Sequence, residues 1–335
     1  ESGSLIMRDG STAAIRPAEP SDATMMQQFV DRLSPESRRH RYFSESSPSS
    51  DSIAALCHSS NPRSQFTLIV TRVWESTSRI IAAGSYWARD EQTAEVAMAV
   101  DDGFHGKGLG TLLLERLALI AIRHSFTHLW AVTHADNLAM REVFRESGFT
   151  THEAYEGEDM EVELSLIPTE ATVTCAEVRE RLATTASLRP FFQPKSVAII
   201  GVSRNPNKIG YRLLDAITTG QFRGAVYPVT PKATDIKEIR TYPSVQDLPE
   251  PVDLAIIAVP RDSVSSIIDE CAAKGIRACV IITAGFAEVG PAGAALQQQL
   301  VTKVRQYGMR MIGPNCFGIL NTDPNIQLNA TFTTL

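Results

Sequence analysis

Between residues 5 and 167 the apolar pattern changes period several times. A short strand is predicted near Ala13 to Arg16, and Asp22 stands where it would cap a helix running to Leu33. Phe66 to Arg72, Arg79 to Trp87 and Glu95 to Val100 are rich in β-branched and aromatic residues and are separated by polar turns, so they predict a meander of three strands. After Gly110 the period becomes helical, with Leu112, Leu113, Leu117, Ile120 and Ala121 on one stripe. A helix therefore follows a glycine-rich loop directly.

Strand character fades from Ile167 to Arg189, where Pro168 and a helical pattern through Val178, Arg179 and Leu182 predict a helical connector over residues 168–188. Beyond it, Ser196 to Gly201, Ala225 to Val229, Leu254 to Val259 and Cys279 to Thr283 are short, continuous apolar runs separated by helical patterns. Such runs are buried on both faces, which implies a parallel sheet with crossover helices. The expectation is an α/β chain: a mixed, mainly antiparallel sheet with helices over residues 5–167, then a Rossmann-like parallel sheet over residues 189–335.

Composition narrows the function. A chain of 335 residues suits two domains, and 43% hydrophobic with 21% charged residues is the balance of a globular protein. The net charge of −6 comes without a long run of either sign, so neither nucleic acid nor a membrane surface is an expected partner. The densest basic patch, Arg38, Arg39, His40 and Arg41, reads as a solvated helix face, with a substrate-contacting role held in reserve. The five cysteines are scattered without C-x-x-C spacing, which argues against a disulfide frame or a zinc site. The apolar stretch from Leu112 to Ile122 is broken by Glu115 and Arg116 and cannot span a bilayer; with no signal peptide, the expected location is cytoplasmic. Glu1-Ser2-Gly3-Ser4 looks like an expression scar and is set aside from the fold.

Two stretches carry candidate chemistry. E-V-A-M-A-V-D-D-G-F-H-G-K-G-L-G-T, Glu95 to Thr111, passes from strand through His105, Gly106, Lys107, Gly108, Leu109 and Gly110 into a helix. Backbone amides at a helix start suit a diphosphate, and Gly106, Gly108 and Gly110 lack the Cβ atoms that would keep it away. The same spacing also serves an ordinary tight strand-to-helix turn.

The segment resembles the pyrophosphate loop of the GNAT acetyltransferase superfamily, Q/R-x-x-G-x-G/A, with His105 where Gln or Arg is usual. Asn137 to Phe149, N-L-A-M-R-E-V-F-R-E-S-G-F, resembles that family's N-x-x-A-x-x-x-Y-x-x-x-G-F helix, and the likeness extends over about residues 12–166. The resemblance implies acetyl-CoA as cofactor, Asn137 and Phe144 beside it, and Met98, Ala99 and Val100 on the strand that pairs with the pantetheine arm. Ala94-Glu95-Val96-Ala97 is similar to the A-E-x-A motif of bacterial protein-lysine acetyltransferases, which makes Glu95 the candidate general base; its bland reading is a solvated carboxylate. Phe144 replaces the tyrosine that many members use to protonate the leaving thiolate, so no side-chain acid is assigned. Leu33 to Phe43, L-S-P-E-S-R-R-H-R-Y-F, resembles a stretch found beside GNAT domains fused to CoA-ligase modules, which points to protein lysine as acceptor, with an acyl-CoA synthetase a candidate target.

From Arg189 to Phe332 five ordered segments, beginning with P-K-S-V-A-I-I-G-V-S-R-N-P-N-K-I-G and ending with M-I-G-P-N-C-F-G, resemble the CoA-binding domain of nucleoside-diphosphate-forming acyl-CoA synthetases and the succinyl-CoA synthetase alpha subunit. Gly201 ends a buried strand and a helix from Ile209 to Thr219 follows, the placement that binds phosphates. The loop lacks G-x-G-x-x-G, which argues against a dinucleotide oxidoreductase. Ser203 lies in this loop; Lys208 and Lys232 are either phosphate partners or solvated surface lysines. The resemblance implies that Thr283, Ala284 and Gly285, with Asn315, touch bound CoA or acyl-CoA. Cys316 reads as a small packed residue. The second ligase domain, its phosphorylatable histidine and the ATP-grasp module do not follow, so a fragment of a longer fusion is expected, with those modules as partners. The leading expectation is acyl transfer from CoA to a protein lysine, the second domain sensing or scaffolding CoA; the rivals are a small-molecule amine N-acetyltransferase and a regulatory portion of a synthetase.

Overall fold

The computed structural model describes residues 2–58, 61–74, 77–232 and 234–332; Glu1 of the leading tetrapeptide and residues 333–335 of the expected second domain lie outside them. The chain divides into two compact units, Glu1–Asp9 with Ala13–Ala183 and Gly10–Thr12 with Thr184–Leu335.

The first unit contains β1 (Gly3–Ile6), β2 (Thr12–Pro17), α1 (Ala23–Arg32), α2 (Pro35–Tyr42), α3 (Ser50–Leu56), β3 (Gln65–Trp74), β4 (Thr77–Ala88), β5 (Thr93–Val100), α4 (Leu109–Arg123), β6 (His128–His134), α5 (Leu138–Ser147), β7 (Thr150–Glu156) and β8 (Asp159–Ser165). Its eight strands lie in the order β1-β2-β3-β4-β5-β6-β8-β7, antiparallel in every register described except the parallel pair β5–β6. The mixed, mainly antiparallel sheet is as expected. Gly3 and Ser4, set aside as a scar, are in β1 at the sheet edge.

One sheet face carries a core with Leu113, Leu114 and Leu117 of α4 and Phe144 of α5. The other packs Met26, Phe29 and Val30 of α1 against Ile69, Ile80 and Ala99. Helix α4 sits close because β4 has Gly84 beneath it; a Cβ there would stand 2.8 Å from Leu113. Asp22 precedes α1 but does not cap it with its side chain. Both its oxygens accept from the Arg16 guanidinium at 2.6 Å, and one also accepts from the Glu19 N–H at 2.8 Å. A bidentate guanidinium outcompetes a lone backbone donor for a buried carboxylate.

Helix α6 (Glu170–Phe192) occupies the stretch expected as connector. The second unit contains β9 (Ser196–Ile200), α7 (Ile209–Thr219), β10 (Ala225–Val229), β11 (Asp235–Ile236), β12 (Ile239–Arg240), β13 (Leu254–Ile257), α8 (Arg261–Ala273), β14 (Ala278–Ile281), α9 (Pro291–Gln306), β15 (Arg310–Ile312), β16 (Gly318–Asn321) and β17 (Leu328–Thr331). Five parallel strands run in the order β10-β9-β13-β14-β15, with all of β9, β13 and β14 buried, as their unbroken apolar runs require. The β11/β12 and β16/β17 pairs were not expected; segments of two to four residues are too short to show a period.

Candidate functional site

Strand β5 pairs with β4 from Ala94 to Val100, but with β6 only from Thr93 to Glu95. Beyond Glu95 the two parallel strands part. The Asp101 N–H donates to Ile81 O at 2.9 Å, and from that register the backbone alternates: Ala97 and Ala99 turn theirs toward β4, whereas Val96, Met98 and Val100 turn theirs into the gap. An extended chain entering the gap would find a sheet edge with no strand partner among the described residues at Val96 and Met98, whereas the Val100 carbonyl is already taken by His105. Of the three residues expected to pair there, Ala99 has its backbone directed the other way, and Val96 joins Met98 and Val100.

The gap opens into a cavity of about 470 Å³ lined by Glu95, Met98, Ala99, Val100, His105, Gly106, Gly108, Leu109, Gly110, Thr111 and Asn137, so most of the first set of predicted residues meet in one place. Its far end is the start of α4. Gly106 and Gly108 have φ of 72° and 78°, a backbone region costly for any residue with a Cβ. A Cβ on Gly106 would meet nothing within 4 Å, so backbone conformation rather than crowding favours glycine there. Gly108 is the N-cap and supplies no capping group, and the first turn carries no acidic residue. Among the described residues the N–H groups of Leu109, Gly110 and Thr111 therefore have no side-chain acceptor where the helix dipole is positive, which fits a diphosphate.

Five predicted residues have other duties. Gly110 is required by packing, because a Cβ there would stand 2.8 Å from Val143 on α5. Lys107 lies 3.5 Å from Asp9 and 4.8 Å from the Phe104 ring, and is not among the cavity's lining residues. Phe144 is 2% exposed in the α4 core and does not line the cavity; Met140 and Val143 of the same helix do. Asn137 lines it but caps α5, accepting from Met140 N–H at 3.1 Å while its amide donates to Thr133 Oγ1 at 3.0 Å. The His105 ring turns back onto β5, its Nε2 donating to Val100 O at 2.9 Å, since a carbonyl can only accept.

At the other end Glu95 is exposed at the fork, directly across β4 from Trp87 and across β6 from Trp130. Helix α2 forms the wall beside it, contributing Ser37, His40, Arg41 and Tyr42, with Phe43 following. Two carboxylates hold α2 there. Asp102 accepts from Ser34 N–H and Oγ and from Ser37 Oγ at 2.8–2.9 Å; burial pushes its carboxyl up, but those hydrogen bonds bring it below the usual range. Asp136 is held low by Arg39 at 2.7 Å, with His40 at 3.3 Å. Burial pushes the Tyr42 phenol up. The basic patch is thus divided: Arg38 bonds the Glu45 and Asp31 carbonyls, Arg39 and His40 hold Asp136, and Arg41 lines the cavity. Arg8, also in the cavity wall, grips Glu146 with two bonds of 2.8 and 2.9 Å. Nothing in the periodicity marked Arg8, Val96, Met140 or Val143; the L-S-P-E-S-R-R-H-R-Y-F segment was the signal for the α2 wall.

In the second unit the predicted residues gather at the carboxyl edge of the sheet. Gly201 and Ser203 follow β9, Lys232 follows β10, Thr283 to Gly285 follow β14 and Asn315 follows β15, while Lys208 stands at the N-cap of α7. The order β10-β9-β13 makes the end of β9 the switch point where open α/β sheets bind ligands. Thr283 Oγ1 donates to Val259 O at 2.7 Å, and Asn315 N–H to Thr283 O at 3.0 Å, tying three strand ends together. Gly201 has φ of 96°, and a Cβ would collide with the Ala258 carbonyl. Gly210, overlooked in the sequence, lets α7 press against the Gly201 carbonyl. Gly285 N–H is held by Glu288, whose carboxyl it lowers, so that amide is already engaged. Lys208 and Lys232 are exposed.

Comparison with known proteins agrees with this division. Residues 29–149 match the acetyltransferase (GNAT) family and residues 195–322 match the CoA-binding domain. The chain is 46% identical over 145 residues to the alpha subunit of an ADP-forming acetate–CoA ligase II of Pyrococcus furiosus, covering 43% of this chain and 31% of that protein. It is 28% identical over 142 residues to an acetyltransferase of Pseudomonas aeruginosa, covering 42% of this chain and 76% of that one. The crystal structure of the GNAT domain of S. lividans PAT aligns with a TM-score of 0.45 at 25% identity, over 49% of this chain and 96% of that one. The chain spans about a third of the ligase subunit it matches. No helix among the described residues is long and apolar enough to cross a membrane. The chain joins a GNAT-family acetyltransferase domain, which uses acetyl-CoA, to a CoA-binding domain of the kind found in acyl-CoA synthetases.

Proposed function

We propose that the first domain transfers an acetyl or short acyl group from acyl-CoA to a lysine amine of a protein, with Glu95 as general base. The arrangement that carries this reading is the single cavity joining an uncapped helix start, an unpaired strand edge and a carboxylate at the fork where that edge begins. The cofactor supplies an acyl group activated as a thioester. The α4 amides hold its diphosphate, and Val96, Met98 and Val100 align its arm along β5. Glu95 then accepts a proton from the incoming ammonium, directly or through one water, which frees the lone pair that forms the new C–N bond as the C–S bond breaks. The position expected for a tyrosine acid holds a buried phenylalanine, so the thiolate leaves without a proton from that side chain; the second proton, shed by the nitrogen once the C–N bond has formed, passes to the departing sulfur directly or through water. Resemblance to protein acetyltransferases fused to ligase modules favours protein lysine, and an acyl-CoA synthetase is the proposed target and partner. The second domain binds CoA as sensor or scaffold, through Gly201, Ser203, Lys208, Lys232, Thr283, Ala284, Gly285 and Asn315.

The test is Glu95→Gln, assayed with labelled acetyl-CoA and candidate proteins. Acetyl-CoA binding by calorimetry should persist while transfer falls about 10²- to 10⁴-fold, the usual cost of losing a general base. Unchanged turnover across pH would remove Glu95 from the reaction. Robust acetylation of a small amine with no protein labelling would replace the proposed acceptor.

A further inference from the structure

Arg41 is the one member of the basic patch that the fold does not consume. Arg38, Arg39 and His40 each have hydrogen-bonded partners, whereas among the described residues no hydrogen bond or ion pair engages Arg41. Its guanidinium is instead laid on aromatic rings, 4.8 Å from the centroid of Tyr42 and 5.7 Å from that of Trp87. Trp87 is the cross-strand neighbour of Glu95, so the cation stands on the same patch of sheet as the proposed base without closing on it. Burial pulls the Arg41 pKa below its ordinary value, opposed by Tyr42 and Glu95; the group nonetheless keeps its charge at any working pH. A partly buried cation resting on ring faces, with Glu95 near but not hydrogen-bonded to it, is under-compensated. Its donors can still take a carboxylate in bidentate fashion.

The neighbouring groups indicate where that carboxylate comes from. Phe43 follows Arg41 at the cavity wall, 46% exposed, and offers an apolar ledge for the methylene stem of a lysine. An amine lying over that ledge and reaching Glu95 would carry its flanking residues past Arg41. We propose that Arg41 is a specificity residue of the acceptor site, selecting a protein lysine that has an Asp or Glu within about three residues, roughly 10 Å of extended chain. This rests on the transferase reading above and narrows its acceptor class.

The experiment uses the full chain, acetyl-CoA, and pairs of lysine peptides identical except for Glu or Gln at one position on either side of the lysine. At the best position the wild type should favour the acidic peptide about 2- to 5-fold in kcat/KM, mainly through KM. The ratio should collapse to about one in Arg41→Gln and be partly kept in Arg41→Lys, which retains charge without the planar fork. Because each variant is compared with itself on two peptides, a general loss of folding cannot produce the collapse. Equal use of both peptides by the wild type, or a preference that survives Arg41→Gln, overturns the assignment while leaving the transferase reading standing. Acetylation of free amino acids with no peptide labelled overturns both.

Discussion

Two glycines two residues apart, the N-cap Gly108 and Gly110 in the first turn of α4, should fail in different ways. Gly108 has φ of 78° and its added Cβ would meet only the Arg8 Cβ, at 3.9 Å, so Gly108→Ala is opposed by backbone conformation rather than by space. A residue with a Cβ costs about 1–2 kcal/mol in that region. In the free variant the loop relaxes away from it, and binding has to restore it, so acetyl-CoA affinity should fall about 5- to 30-fold, at 1.4 kcal/mol per factor of ten. Gly110 is ordinary helix, and its added Cβ would meet Val143 Cγ2 at 2.8 Å. Gly110→Ala gains about 1 kcal/mol of helix propensity and loses about 1–3 kcal/mol to overpacking, a net loss of about 0–2 kcal/mol in stability. Its affinity should stay within about threefold of wild type. Calorimetry with acetyl-CoA should give two events, one per domain; the event to follow is the one that Gly201→Ala leaves intact, with urea unfolding run in parallel. Wild-type affinity in Gly108→Ala would refute the cradle argument. So would an equal loss of affinity in Gly110→Ala without any loss of stability.

Three further outcomes follow from particular contacts. Gly201→Ala places a Cβ at φ 96° against the Ala258 carbonyl and should destabilise the second domain by roughly 2–5 kcal/mol and abolish one of the two CoA-binding events; retention of both would show that the Gly201 turn is not at that site. Phe144→Tyr puts a hydroxyl into a closed core and should cost about 1–3 kcal/mol in urea unfolding with no gain in kcat; a rise in kcat would show that this position reaches the reacting sulfur. Asp22 is held below the usual carboxylate range by Arg16, so its stabilisation is present above about pH 4 and is lost as pH falls through the lowered value. Asp22→Asn should be about 2–3 kcal/mol less stable at pH 7, with the gap to wild type closing only as pH falls below the usual carboxylate range and through the lowered value; a gap independent of pH would contradict this.

Much of the architecture was readable from the amino acids because it depends on local rules. Unbroken apolar runs at Ser196 to Gly201 and Leu254 to Val259 announced buried parallel strands, and the change of period after Gly110 announced α4. The glycine loop, Glu95 and the four strand ends of the second domain were singled out by motif, and the sheet order, not spacing along the chain, puts the strand ends along one edge. Tertiary contacts decided the rest. Whether Asp22 caps a helix depends on whether the guanidinium of Arg16, six residues earlier on β2, folds back beside it, and the capping pattern alone does not encode that. Gly108 and Gly110 look alike in a motif, yet one answers to its own backbone and the other to Val143 on a different helix. The parting of β5 from β6 after Glu95 is a property of two strands and the layers on either side of them. Arg41 sat in a run of four basic residues that periodicity could only call a charged face; packing assigned its neighbours to carboxylates and carbonyls and left Arg41 on two rings. A sequence lists the groups available, whereas three-dimensional packing determines which of them are already satisfied and which remain open to a ligand.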